Sequence, residues 1–232
     1  MPSDKQFKPL PPDYESLISS FKEHITQGER DAKDFEKRHF NGMREKAIVY
    51  CLQHAVDLAK GCLATAVEEL PDSATTLSRA ILETLFWARY VAISNENAQE
   101  FTNAPFHEMK RTARKNLKAG YARVSDIETR EDKTEELLKS DFMKDIPARI
   151  SIEGAAKAGG LERVYINIYG FISMTAHGRA INLRTNEEIK QELYASVSTA
   201  LGAFQCVELI AFDWISHRKQ TEKETLVRIL GV

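Results

Sequence analysis

The sequence predicts an all-α fold, a bundle of roughly eight helices, and three observations carry that expectation. Apolar residues recur at helical spacing along most of the chain. The alternating β-branched pattern of strands is nearly absent. Proline and glycine fall between the periodic segments, as in "LPDS" at 70–73. With 232 residues, 43% hydrophobic and 28% charged, the chain has the material for one large core. A single domain is expected over 13–232, preceded by a Pro-rich arm at 1–12, with 106–145 as a charged helical flap in the alternative division.

The elements follow in order. Asp13 is placed to cap a helix reaching about Gly28, and a second helical region runs from about Arg30 to Leu70, with Asn41-Gly42 as its dividing point. Pro71 stops that region, and Asp72 or Ser73 caps the next helix, which continues through "LSRAILETLFWARYVAI". Charged helices occupy about 96 to 145, punctuated by Gly120 and Pro147. Gly159-Gly160 closes a short segment, and the stretch "VYINIYGFISMTAHG" at 164–178 then ends near Gly178, where a left-handed terminal residue would sit. Thr185 and Glu188 have capping-box spacing, opening a long central helix to about Trp214 and Ile215. Phe86, Trp87, Tyr90, Phe204, Phe212 and Trp214 follow helical spacing and are assigned to the core.

Bulk chemistry narrows the functional classes. A formal charge of −2 and a pI near 6.3 give no global basic field, so nucleic-acid binding requires a local patch. Cys51, Cys62 and Cys206 are odd in number and lack C-x-x-C spacing, which points to a reducing compartment rather than a disulfide framework or zinc knuckle. The opening "MPSDKQFKPLPPDY" has no apolar leader, and the longest apolar run is broken by Gln205, Glu208 and Asp213. A cytoplasmic protein without membrane attachment is expected. Only Glu36 and His39 match the Glu-x-x-His pattern, and no nucleotide-loop motif occurs, so no metal or cofactor is expected.

Two patterns carry chemistry. Tyr165, Tyr169, Ser173 and His177 are spaced four apart, so neighbours touch while the series drifts around its helix by roughly 120°. Tyr165 is expected to pack, and Tyr169, Ser173 and His177 to share one pocket. Between Asp72 and Arg89 the only charges are Arg79 and Glu83, again four apart and set among Leu77, Ile81, Leu82, Leu85 and Phe86. Shielded charges need partners, and the polar tips of the other helix are suited to the role. His177 supplies an acid/base group, Arg79 an anion clamp and Glu83 an orienting carboxylate; the alternative is a structural polar network that fixes two helices in register.

These two motifs, Arg79-x-x-x-Glu83 and Tyr169-x-x-x-Ser173-x-x-x-His177, resemble those of a widespread bacterial all-helical family of unknown function, over about residues 45 to 215. More distantly the arrangement is similar to HEPN-type bundles, which include metal-independent ribonucleases of toxin and phage-defence systems acting as dimers. That resemblance implies an RNA- or phosphate-directed site of Arg79, Glu83, Tyr169, Ser173 and His177 in a homodimer. This sequence departs from the HEPN hallmark, since no histidine has an Arg at the required distance upstream, and Arg79 or Arg179 would have to stand in for it. The alternative function is a non-enzymatic interaction or ligand-sensing module.

A third pattern lies in "FHEMKRTARKNLKAGYAR" at 106–123, where Lys110, Arg111, Arg114, Lys115 and Lys118 cluster against the single acid Glu108. The geometry suits phosphates. The following acids, Asp126, Glu128, Glu131, Asp132, Glu135 and Glu136, are expected to neutralise that helix.

Overall fold

The computed structural model describes residues 13–38, 40–144, 150–176 and 185–232. Among them the secondary structure is helical, with eight α-helices of seven or more residues and no strand beyond one isolated bridge between Ser125 and Asp132. The chain divides into two compact units, residues 1–98 with 152–232, and residues 99–151. The charged segment 106–145 lies within the second.

The first unit is built on α1 (Tyr14–Glu36), α2 (Met43–Val67), α3 (Pro71–Ile93) and α10 (Asn186–His217). Helix α3 packs on both α2 and α10, α1 closes the other side against α2 and α10, and α2 also meets α10. Phe21, Phe86 and Phe204 are fully buried at the centre, each contributing about 1.5–3 kcal/mol of apolar transfer.

Local signals explain most ends. Asp13 accepts the Ser16 N–H at 2.8 Å to start α1. Thr185 and Glu188 complete both bonds of the capping box that starts α10. Two expectations are corrected. Helix α1 does not stop at Gly28 but continues to Glu36, because this glycine is a point of close approach: a Cβ there would meet Phe204 Cζ at 2.6 Å. At the start of α3, neither Asp72 nor Ser73 is the cap. Leu70 holds that position without a side-chain bond, Pro71 provides the first helical residue, and Glu69 turns the chain at φ 54°.

Helix α10 is long and apolar enough, by length and composition, to cross a membrane, yet 72% of that stretch is buried inside the fold. Several of its polar residues bond to neighbouring helices. His24 Nδ1 of α1 lies 3.2 Å from Glu208 Oε2, and the Gln205 amide lies 2.9 Å from His24 Nε2. Thr75 and Ser196 share a buried 2.8 Å hydrogen bond between α3 and α10. Helix α11 (Lys223–Leu230) packs on α10 through fully buried Leu226. Phe86, Tyr90 and Phe204 are core as expected, whereas Trp87, Phe212 and Trp214 are only half-buried.

Helix α4 (Asn95–Lys118), most of which lies in the second unit, ends before Gly120, which takes φ 74°. A turn-rich loop leads to α5 (Thr134–Lys139) and α6 (Asp141–Lys144). Asp126 Oδ1 accepts the N–H groups of Glu128 and Thr129, and Asp132 Oδ1 that of Thr134. The Lys110 ammonium lies 3.8 Å from the Phe142 ring centroid and 5.0 Å from that of Phe106.

Candidate functional site

On the outer side of α3 sit α7 (Ile152–Ala158) and α9 (Gly170–Ala176). Helix α9 is preceded by α8 (Glu162–Val164) and a π-helical turn at Tyr165–Tyr169. The Gly170 N–H reaches back to Tyr165 O to close that turn. Such single wide turns recur at functional sites because they push one residue out of the α-helical repeat. Here the displaced segment ends on Tyr169, whose ring stacks on Tyr165 with centroids 5.0 Å apart and planes inclined by 20°. Phe86 of α3 packs on both rings, at 6.1 Å from Tyr165 and 5.9 Å from Tyr169. Tyr165 thus belongs to packing and fixes Tyr169.

The Tyr169 phenol enters the Arg79–Glu83 pair of α3. Its O–H donates to Glu83 Oε1 at 2.7 Å and accepts from Arg79 Nε at 3.1 Å and Nη2 at 2.8 Å. Arg79 Nε also donates to Glu83 Oε1 at 3.1 Å. The three groups form a closed triangle in which each satisfies part of the others. Tyr169 is 7% exposed, but the Arg79 and Glu83 side chains keep 24% and 31% of their surface. The triangle therefore has a buried vertex and a charged edge at solvent.

The electrostatics follow from that arrangement. Burial raises the Tyr169 pKa above its ordinary 10.0, and the hydrogen bond to Glu83 adds to the shift against the opposing bond from Arg79. Burial alone would lower the Arg79 pKa, but its bonds to Tyr169 and the Glu83 charge outweigh it and the guanidinium is held more firmly protonated. At neutral pH the phenol keeps its proton and donates it to Glu83, and the solvent-facing edge is an ion pair in which the guanidinium supplies the cation and N–H donors and the carboxylate the acceptor.

Of the sequence-derived set, the structure brings together Arg79, Glu83 and Tyr169. Ser173 lies one turn further on α9 and is half-buried. His177 and Arg179 lie outside the described residues. Among the described residues no group of three or more metal-ligating side chains occurs.

Sequence reasoning missed two contributors. Phe86 was assigned to the core without its role under the tyrosine pair. Arg89, also on α3, donates from Nε to Gly159 O at 3.2 Å and from Nη1 to Thr221 O at 2.7 Å, and burial lowers its pKa. It ties the loop before α8 to the α10–α11 connection. The one readable trace was Gly159, where a Cβ would meet Arg89 Cγ at 2.8 Å.

An all-helical bundle whose third helix and π-turn helix share an Arg–Glu–Tyr triangle defines the class of protein. The match of residues 45–191 to the family of unknown function DUF5677 covers both motif-bearing segments and more than half of the chain, and the protein belongs to that family. The match ends within α10, short of the 215 expected from the motifs. No curated protein and no solved structure matches the chain.

Proposed function

We propose that the protein is a HEPN-like, metal-independent ribonuclease of the bacterial toxin or defence type, working in the cytoplasm as a homodimer on an RNA phosphodiester. The observation that carries this reading is the partly exposed Arg79–Glu83 edge of the triangle, which sets a guanidinium at solvent beside the buried Tyr169 hydroxyl. Ser173 follows one helical turn beyond Tyr169, and His177 one turn beyond that in the sequence. In this scheme Arg79 holds a non-bridging phosphate oxygen, with Tyr169, Glu83 and Ser173 orienting it. His177 takes the proton of the 2′-hydroxyl as its oxygen attacks phosphorus, and returns a proton to the departing 5′-oxygen. One P–O bond forms and one breaks, giving a 2′,3′-cyclic phosphate and a 5′-hydroxyl. The three buried free cysteines accord with a reducing compartment.

The same closed triangle favours a second reading, a ligand-sensing or interaction module in which these residues lock α3 to α9. A single experiment separates them: cleavage of a labelled RNA in the presence of chelator by wild type, His177→Ala and Arg79→Lys. The ribonuclease reading expects activity in wild type, a loss of 100-fold or more in His177→Ala, about the contribution of one acid/base group, and a smaller loss in Arg79→Lys. Equal cleavage by all three, or none by wild type, leaves the non-enzymatic reading.

A further inference from the structure

The cations of α4 do not find the partners that sequence order suggests. In the acidic segment, Glu131 and Glu136 pair with Lys133, and Glu135 with Lys139. Asp126 and Asp132 spend a carboxylate oxygen on backbone N–H groups of their own turns, and Arg123 lies in the field of Asp132. The ion pairs that these acids make thus run to cations of their own loop and not to α4.

Within α4 the cations then divide. Lys110 is buried between the Phe106 and Phe142 rings. Arg111 is engaged by Glu108, with Nη2 to Oε2 at 2.9 Å. Arg114, Lys115 and Lys118 remain as one stripe, with Lys115 and Lys118 exposed, and none of the three has an ion-pair partner among the described residues. Arg114 and Lys118 are one turn apart, about 6 Å along the axis. The negative end of the helix dipole, about half an elementary charge, offsets only a fraction of three cations.

An aromatic follows them in the chain. The Tyr121 N–H bonds to Asn116 O at 2.9 Å, folding the chain back under the last turn, and leaves Tyr121 85% exposed. An exposed aromatic three residues beyond unpaired cations is the combination that takes a phosphodiester backbone on the charges and an unstacked base on the ring.

We propose that Arg114, Lys115, Lys118 and Tyr121 form a binding surface for single-stranded nucleic acid. A duplex presents its bases stacked and offers Tyr121 nothing, so the single strand is the fitting form. This inference goes beyond the catalytic reading and needs no turnover; it stands on residues of the second unit alone.

The test is fluorescence-anisotropy binding of mixed-sequence 20-mers, as single-stranded RNA, single-stranded DNA and duplex, to the full chain carrying His177→Ala so that cleavage cannot intrude. Expected is binding of either single strand at least tenfold tighter than the duplex, with a slope of log affinity on log salt of about −2 for three cations. Lys115→Gln with Lys118→Gln lowers the magnitude of that slope by about 1.4, Tyr121→Ala weakens binding about fivefold or more, and Lys115→Arg with Lys118→Arg restores it. Single strands that fail to bind, a duplex that binds as tightly, or a Gln pair that binds like its parent with the helical content intact overturns the proposal. No cleavage by wild type with single-strand binding retained counts against the ribonuclease reading alone, and cleavage by wild type without such binding counts against this surface alone.

Discussion

The Tyr169 hydroxyl gives its proton to Glu83 at 2.7 Å while receiving two N–H bonds from Arg79, so one phenol joins a π turn to an ion pair 86 residues earlier. Tyr169→Phe keeps the ring stack on Tyr165 and removes only that junction. We expect a loss of about 1–2 kcal/mol, the range for a bond to a charged group at a partly shielded site. A urea double-mutant cycle with Glu83→Gln checks it and should give a coupling of at least about 0.5 kcal/mol; additive effects would show that the two residues act independently. The same phenol sets an alkaline limit. Its pKa is raised in the folded chain, so its contribution is full below about pH 10 and is lost as pH rises through the higher folded value. Stability measured from pH 9 to 11.5 should fall more steeply in wild type than in Tyr169→Phe.

Gly28 and Gly61 both lie inside helices, and the same substitution should act on them in opposite directions. Replacing glycine by alanine gains about 1 kcal/mol of helix propensity. At Gly28 the new Cβ meets the buried Phe204 ring at 2.6 Å and Glu208 Oε1 at 3.2 Å, and overpacking of about 1–3 kcal/mol outweighs the gain. At Gly61 the nearest atom is Leu77 Cδ1 at 3.3 Å, the end of a side chain that is able to turn aside. Thermal midpoints should fall for Gly28→Ala and rise for Gly61→Ala.

Arg89→Met retains much of the aliphatic stem and strips the donors from two backbone carbonyls, Gly159 O and Thr221 O. A cost of about 2–4 kcal/mol is expected for two charge-assisted bonds. Hydrogen exchange should locate it: protection lost around residues 159–164 and 221–226, with the α1–α2 contact unchanged.

The thiols should be inert in the folded state. Burial pushes Cys51 and Cys62 up to about 12 and raises Cys206 further. The Cys62 thiol donates to Ala74 O at 3.6 Å and that of Cys206 to Leu226 O at 3.8 Å. A chromogenic disulfide at pH 8 should therefore titrate no thiol in the native protein and three in denaturant; rapid reaction of the native form would contradict this burial.

Helix class, the Pro71 boundary and the α10 capping box were legible because each depends on chemistry within a few residues. The Arg79–Glu83 pair was legible for the same reason, two charges in an apolar run. What failed to show depended on contacts distant in sequence. Gly28 reads as a stop until Phe204 is known to lie against it. Arg89 reads as the end of an apolar helix because its partners are backbone carbonyls, which every residue carries. The π turn has no composition of its own, and the acids after α4 looked available to its cations until their bonds within the loop were seen.

That wide turn also records a length. A π turn holds one residue more than the α-helix it interrupts, so deleting one residue between Tyr165 and Tyr169 would leave a continuous α-helix with the residues beyond it on the side they now occupy. Ser173, eight positions after Tyr165 in the sequence, would then stand seven after it and keep its side of the helix. Four-residue steps counted across the turn therefore overstate how far the polar stripe drifts around the helix, by one residue's rotation of about 100°.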